Sequence, residues 1–270
     1  MRRRKKQWLL ALGGTAILVV VVGVLAIKRH DVVRLLERSS LPEPIAYEEA
    51  VSAPILPTSA SAPSNTPAVA PASTTTPISP LPKQVNLAVP FTAQAPHANW
   101  DDPYAEFCEE ASVLMAISYI TGKSIPNPDF AAQKMLEIKA FEEKRFGYYK
   151  DTTAAETAII FQEFYKYKNV KVLDNPKVAD IKQALAAGKL VVIPAAGRLL
   201  GNPYYTPPGP LYHMLVIKGY TADGKFITND PGTRRGADFV YSEATIMNAI
   251  HDWRTDTKIE LGKKVVIIVG

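Results

Sequence analysis

Three residues in this sequence make up a reactive set if the fold brings them together: Cys108, His213 and Asp230. Cys108 is the only cysteine among 270 residues. It stands in EFCEEASVLMAISYITG, where a polar, aromatic stretch (QAPHANWDDPYAEF) gives way to an apolar helix. At a helix N-terminus, unpaired N–H groups and the macrodipole favour thiolate. Glu109 and Glu110 oppose this if they face the sulfur. A helix that starts at Asp102-Pro103 instead leaves Cys108 one turn inside, where the dipole acts less. Without partners, a lone cysteine is a small buried hydrophobe.

A thiolate nucleophile needs a base and a group that orients the base. The chain has 4 histidines. His30 follows the apolar N-terminal stretch, His97 lies in the loop before Cys108, and His251 falls on the polar side of a late helix. His213 opens an apolar strand, LYHMLVIKGY, and Asp230 closes the next, KFITND. A hairpin turning at Asp223-Gly224 puts both toward its open end, and with an even-length turn they share one face of the sheet. Plain register arithmetic leaves them about four residues apart, so contact requires a bulge or strong twist. Asp230 before Pro231-Gly232 equally suits a turn.

The elements that must position these residues are legible in part. VNLAVPF (85–91) alternates as a short strand with a break at Pro90. Residues 107–121 form a helix stopped by Gly122; it is apolar on most sides and so belongs inside a domain. Further helices are expected at 154–168, at 177–188 and, begun by Ser242, at 242–253. KLVVIPAA, the hairpin and a closing KKVVIIV supply strands. Helices early and antiparallel strands late make an α+β fold.

Ahead of this domain, residues 8–27 carry no charge and follow the basic cluster Arg2, Arg3, Arg4, Lys5, Lys6. As a helix they span roughly 30 Å, one hydrocarbon core. A cleaved signal peptide is the alternative. The basic tail, 1–7, predicts a cytoplasmic N-terminus, a single span and an extracytoplasmic C-terminal domain. Residues 51–82 contain eight prolines, eleven Ser/Thr and no charge. Such a stretch cannot bury enough apolar surface to order itself, and it reads as a disordered spacer. DVVRLLERS, before it, suits a short helix. The expected organisation is thus 1–7 tail, 8–27 anchor, 28–82 juxtamembrane segment and linker, and 83–270 folded domain.

Charge excludes some functions. Residues 1–50 hold nine Lys/Arg against five Asp/Glu, while 83–270 hold 22 against 21. The basic balance belongs to the N-terminus and gives no support for nucleic-acid binding. One cysteine allows neither an intramolecular disulfide nor a cysteine zinc cluster. No cofactor or metal is expected.

Three stretches, VPFTAQAPHANWDDPYAEFCEEAS, GRLLGNPYYTPPGPLYHMLVIKGY and FITNDPGTRRG, together resemble the C-thirty-nine-like cysteine peptidases, relatives of the double-glycine leader peptidases. The resemblance covers most of 85–255. It implies a papain-like fold, a helical part carrying the nucleophile and an antiparallel sheet. It implies Cys108 as nucleophile, His213 as base and Asp230 as orienter. It also implies Gln94 as a donor to the oxyanion. In the leader peptidases the cysteine is usually followed by a small residue and Pro; here Glu109 and Glu110 follow.

The resulting expectation is a membrane-anchored, extracytoplasmic cysteine peptidase that hydrolyses peptide bonds, with a peptide or protein as substrate. Two alternatives stay open: a non-catalytic module binding peptide or cell wall, and a peptidoglycan amidase or transpeptidase.

Overall fold

Long apolar runs lie at the centre of the structure. LVVIPAA and YHMLVIKGY are buried at every position, which happens when a sheet is covered on both faces. The computed structural model describes residues 29–52 and 81–270. These fall into two units, one ending at Leu41 and one running Pro42–Gly270. In the first, residues 29–39 are helical (α1), in line with DVVRLLERS. No helix among the described residues is long and apolar enough to cross a membrane. The expected span at 8–27 lies outside the described residues, as does 53–80 of the expected linker.

The second unit mixes helices with one antiparallel sheet. Its elements are α2 (Tyr47–Ser52), β1 (Val85–Asn86), α3 (Cys108–Ile120), α4 (Pro128–Phe146) and α5 (Ala154–Ile159). There follow β2 (Val170–Asp174), α6 (Val178–Ala186), β3 (Leu190–Ala196), β4 (Tyr212–Tyr220) and β5 (Lys225–Asn229). β6 (Phe239–Ser242), α7 (Glu243–Ala249) and β7 (Val265–Val269) complete it. The strand order is β2-β7-β3-β4-β5-β6, and β1 pairs with β4 beyond the end of β3. That pairing needs Gly219, because a Cβ there would come within 2.2 Å of the Val85 carbonyl oxygen.

α3 packs against β4, β3 and α4 and is buried along its whole length, as its all-round apolar surface requires. The sequence pattern did not reveal α4. Its start is well marked: the Asn127 side chain accepts from Phe130 N at 2.8 Å, and Pro128 takes the first helical position. Its buried face runs Ala131, Met135, Ile138, Glu142, and the acidic residue at the fourth place breaks the apolar stripe. β2 and β6 were missed too. Half-exposed VKVLD shows no clear alternation.

Residues 42–52 pack onto the same unit as residues 81–270. Ile45 bridges Leu87 in parallel fashion. Ile45 N donates to Asn86 O, and Ala88 N to Ile45 O, both at 2.8 Å. The Asn86 amide reaches Pro42 O at 2.7 Å. Tyr47 meets Tyr119 edge-on, and Ala50 and Val51 close over Gly188. The unit therefore takes in a stretch well before the expected boundary at 83, and Val51 and Ser52 end a helix.

A chain that starts at Pro82 forfeits these hydrogen bonds, each worth about 1 kcal/mol, and uncovers Leu87. It should still fold, but with a stability about 2 to 3 kcal/mol below that of a chain starting at Pro42. Equal denaturant midpoints for the two would show that the docked segment adds nothing.

Candidate active site

His213 is the second residue of β4, and Asp230 directly follows β5. The two meet: His213 Nε2 lies 2.8 Å from Asp230 Oδ1. The contact arises from the irregularity that register arithmetic calls for. Near the turn, Tyr220 faces Phe226; past a bulge between Ile217 and Gly219, Val216 faces Asn229. The bulge slides β5 along β4 and carries Asp230 toward the histidine. Both side chains are buried, His213 at 1% and Asp230 at 0% exposure.

Asp230 is held from several sides. Oδ1 also accepts from Gly232 N at 3.0 Å. Oδ2 accepts from Tyr205 and Tyr241 hydroxyls, both at 2.6 Å, and from the Asn202 amide at 3.0 Å. Burial by itself would raise this carboxyl. His213 and the tyrosine hydroxyls outweigh it and hold the pKa at about 2. Asp230 is therefore an anion at neutral pH. Its demand on Nε2–H leaves Nδ1 of a neutral His213 as the proton acceptor. Gly232 is required here too, since a Cβ would press to 2.8 Å from the His213 ring.

Cys108 is the first residue of α3, preceded by a short 3-10 turn, Tyr104–Glu106. The helix thus begins at the cysteine and not at Asp102. The expected lowering of the thiol pKa does not follow. Burial first, then the Glu109 carboxyl, push it well above the usual value. Sγ donates to Glu109 Oε2 at 3.0 Å.

Cys108, His213 and Gln94 line one cleft of about 340 Å³, together with Trp100, Tyr205 and Trp253. Gln94 is buried, and its amide N–H groups point at Tyr104 O (3.1 Å) and Ala105 O (2.7 Å). Its own N–H donates to Pro231 O. Through side chain and backbone together, Gln94 joins the turn before Cys108 to the turn after Asp230. Its two amide hydrogens already have acceptors, so donation to an oxyanion requires one of those carbonyls to be exchanged.

Two other histidines of this unit make bonds elsewhere. His97 pairs with Asp129 at 3.0 Å, half exposed. His251 is mostly buried and bonds Gly262 O, in the segment after α7 and not on the helix. Asn202, Tyr205 and Tyr241 went unnoticed in the sequence. Two of them lie in GRLLGNPYYTPPGP, where polar and aromatic residues interrupt a loop between two buried strands.

The chain belongs to the Peptidase_C39 like family, whose model matches residues 86–259. All the residues of the cleft named above fall within that range. Among solved structures, the chain is similar to a candidate C39-like peptidase from Bacillus anthracis, at 16% identity and a TM-score of 0.45, covering 69% of this chain and 98% of that one. No curated protein matches significantly.

Proposed function

We propose that this protein is a cysteine peptidase that hydrolyses peptide bonds with Cys108, His213 and Asp230. The family to which it belongs supports the activity. The observation that carries the assignment of residues is the buried His213–Asp230 pair opening onto the same cleft as Cys108. In this reading the thiol proton passes to His213 Nδ1 as sulfur attacks the peptide carbonyl. The imidazolium, held by Asp230 through Nε2, then gives its proton to the leaving amine. Water releases the acyl group from sulfur. The Cys108 backbone N–H, at the start of α3, faces the developing oxyanion, and Gln94 joins it by releasing one carbonyl. The chain folds as a papain-like peptidase. It is held in a membrane by residues 8–27, with its C-terminal domain outside the cytoplasm; the basic start and the uncharged stretch support this.

Mass spectrometry of a peptide pool incubated with the full chain should find new termini, and iodoacetamide should stop their appearance. Protease added to intact cells should nick between residues 53 and 80. Unchanged peptides alongside a fully alkylated Cys108 would favour a binding module. Complete protection until lysis would reverse the orientation.

A further inference from the structure

We propose that Glu109 is a positioning residue for the nucleophile: neutral, it lies against the sulfur and lets thiolate form, and ionised, it locks the proton on Cys108. The inference rests on the reading of Cys108 as nucleophile and concerns how that nucleophile is controlled.

Neighbouring residues on a helix point about 100° apart and do not ordinarily face each other. Cys108 and Glu109 are turned together nonetheless, with Sγ 3.0 Å from Oε2. Glu109 is only 1% exposed, and its Oε1 has no hydrogen-bond partner. Among the described residues, the charges that act most strongly on it are acidic. Glu110 lies on its own helix, Glu106 on the preceding turn, Glu142 on α4, Asp151 between α4 and α5, and Tyr212 on β4. Burial first, then Asp151 and Glu106, push Glu109 up to about 8, while its bond to Cys108 pulls the other way. Glu142 rises to about 9 through burial and then through Glu109.

The proton count follows from these contacts. Near neutrality both Cys108 and Glu109 carry a proton. Transfer of the thiol proton to His213 then leaves a thiolate, and the Glu109 O–H turns to donate to it. Above about pH 8 the pair has lost one proton. The one that remains is shared between a carboxylate and a sulfur 3.0 Å apart. A thiolate would now stand beside a buried carboxylate, which like charges oppose. The two groups titrate as a pair, with apparent values that belong to both. The cysteine is therefore usable at neutral pH and silenced on the alkaline side, the reverse of a free thiol.

The single cysteine makes the test direct. Iodoacetamide labelling of the full chain is followed from pH 6 to 10 in wild type and Glu109→Gln. Gln cannot ionise, so at pH 9 the variant should label about tenfold faster than wild type, one unit in apparent pKa. At pH 6.5 the two should differ by less than threefold. Superimposed profiles in a folded variant would overturn the proposal. A readout on wild type alone covers a variant that fails to fold: the infrared S–H stretch, identified by its loss in Cys108→Ser. The band should persist above pH 9 and move to lower frequency as Glu109 ionises. A band that vanishes near the free-thiol pKa, about 8.5, without moving would overturn it as well. Neither readout needs peptide turnover. Missing turnover with these shifts intact would sink the peptidase reading alone.

Discussion

Cys108→Ala should abolish peptide turnover, by about a millionfold where the assay reaches that far, because the bond-forming atom is gone. The fold should survive. Ala fills the first position of α3 without strain, and the sulfur's removal leaves a void costing about 1 kcal/mol. Glu109 loses its donor, yet its raised pKa keeps it neutral at pH 7, so no charge is stranded. A variant with wild-type melting and no turnover is the expected result. Turnover within tenfold of wild type would remove Cys108 from the reaction, and with it the role assigned to His213.

Asp230→Asn should be the most damaging single change to stability, and it should cost activity as well. The carboxylate collects Gly232 N–H, His213, two hydroxyls and an amide. An asparagine turns one acceptor oxygen into a donor within this ring. The hydroxyls can rotate away, but a flip of the Asn202 amide to present its oxygen gives up the bond that oxygen accepts from Tyr204 N at 3.0 Å. Losing one partner of a buried pair costs about 3 to 5 kcal/mol. For a domain of this size that lowers the melting temperature by about 10 °C. Turnover should fall about a thousandfold or more, since nothing then fixes the tautomer of His213. A melting temperature within two or three degrees of wild type would mean that the ring of donors is slack.

The acid side of the stability curve follows from the same carboxyl. Its folded pKa, about 2, lies below the ordinary carboxylate value. Its contribution is thus fully present above about pH 4 and is lost as pH falls toward 2. It is worth about 2 to 3 kcal/mol. Glu109 and Glu142 work in the other direction, with folded values near 8 and 9. They favour the fold fully below about pH 4 and cease to do so as pH rises through 8 to 9.

The three candidate residues were readable in the sequence because each sits at an element boundary that leaves a mark. Cys108 stands where polar residues give way to an apolar helix, His213 at the head of a buried strand, and Asp230 before Pro-Gly. The contact between His213 and Asp230 was not readable. It turns on a one-residue bulge near Lys218, and nothing in VIKGY states its position. The direction of the Cys108 shift was equally hidden, since it depends on whether Glu109 points at the sulfur. α4 escaped for a related reason. Patterning assumes that buried positions are apolar, and Glu142 is buried and acidic. The Asn127-Pro128 pair is the one mark of the start of α4 that the sequence carries.

The docking of Ile45 beside Leu87 also decides how force enters the domain. A pull on the N-terminal side of Pro42 is taken up first by the Ile45–Asn86–Ala88 hydrogen bonds. Residues 53–80 are then in parallel with this clasp and not in series with the load. Lengthening that stretch would add nothing to the distance at which the domain stands from a support. Only when the clasp yields does the load pass to the chain that follows it. A single cut within it would likewise leave two pieces joined, the shorter one gripped by its hydrogen bonds and by Tyr47 against Tyr119.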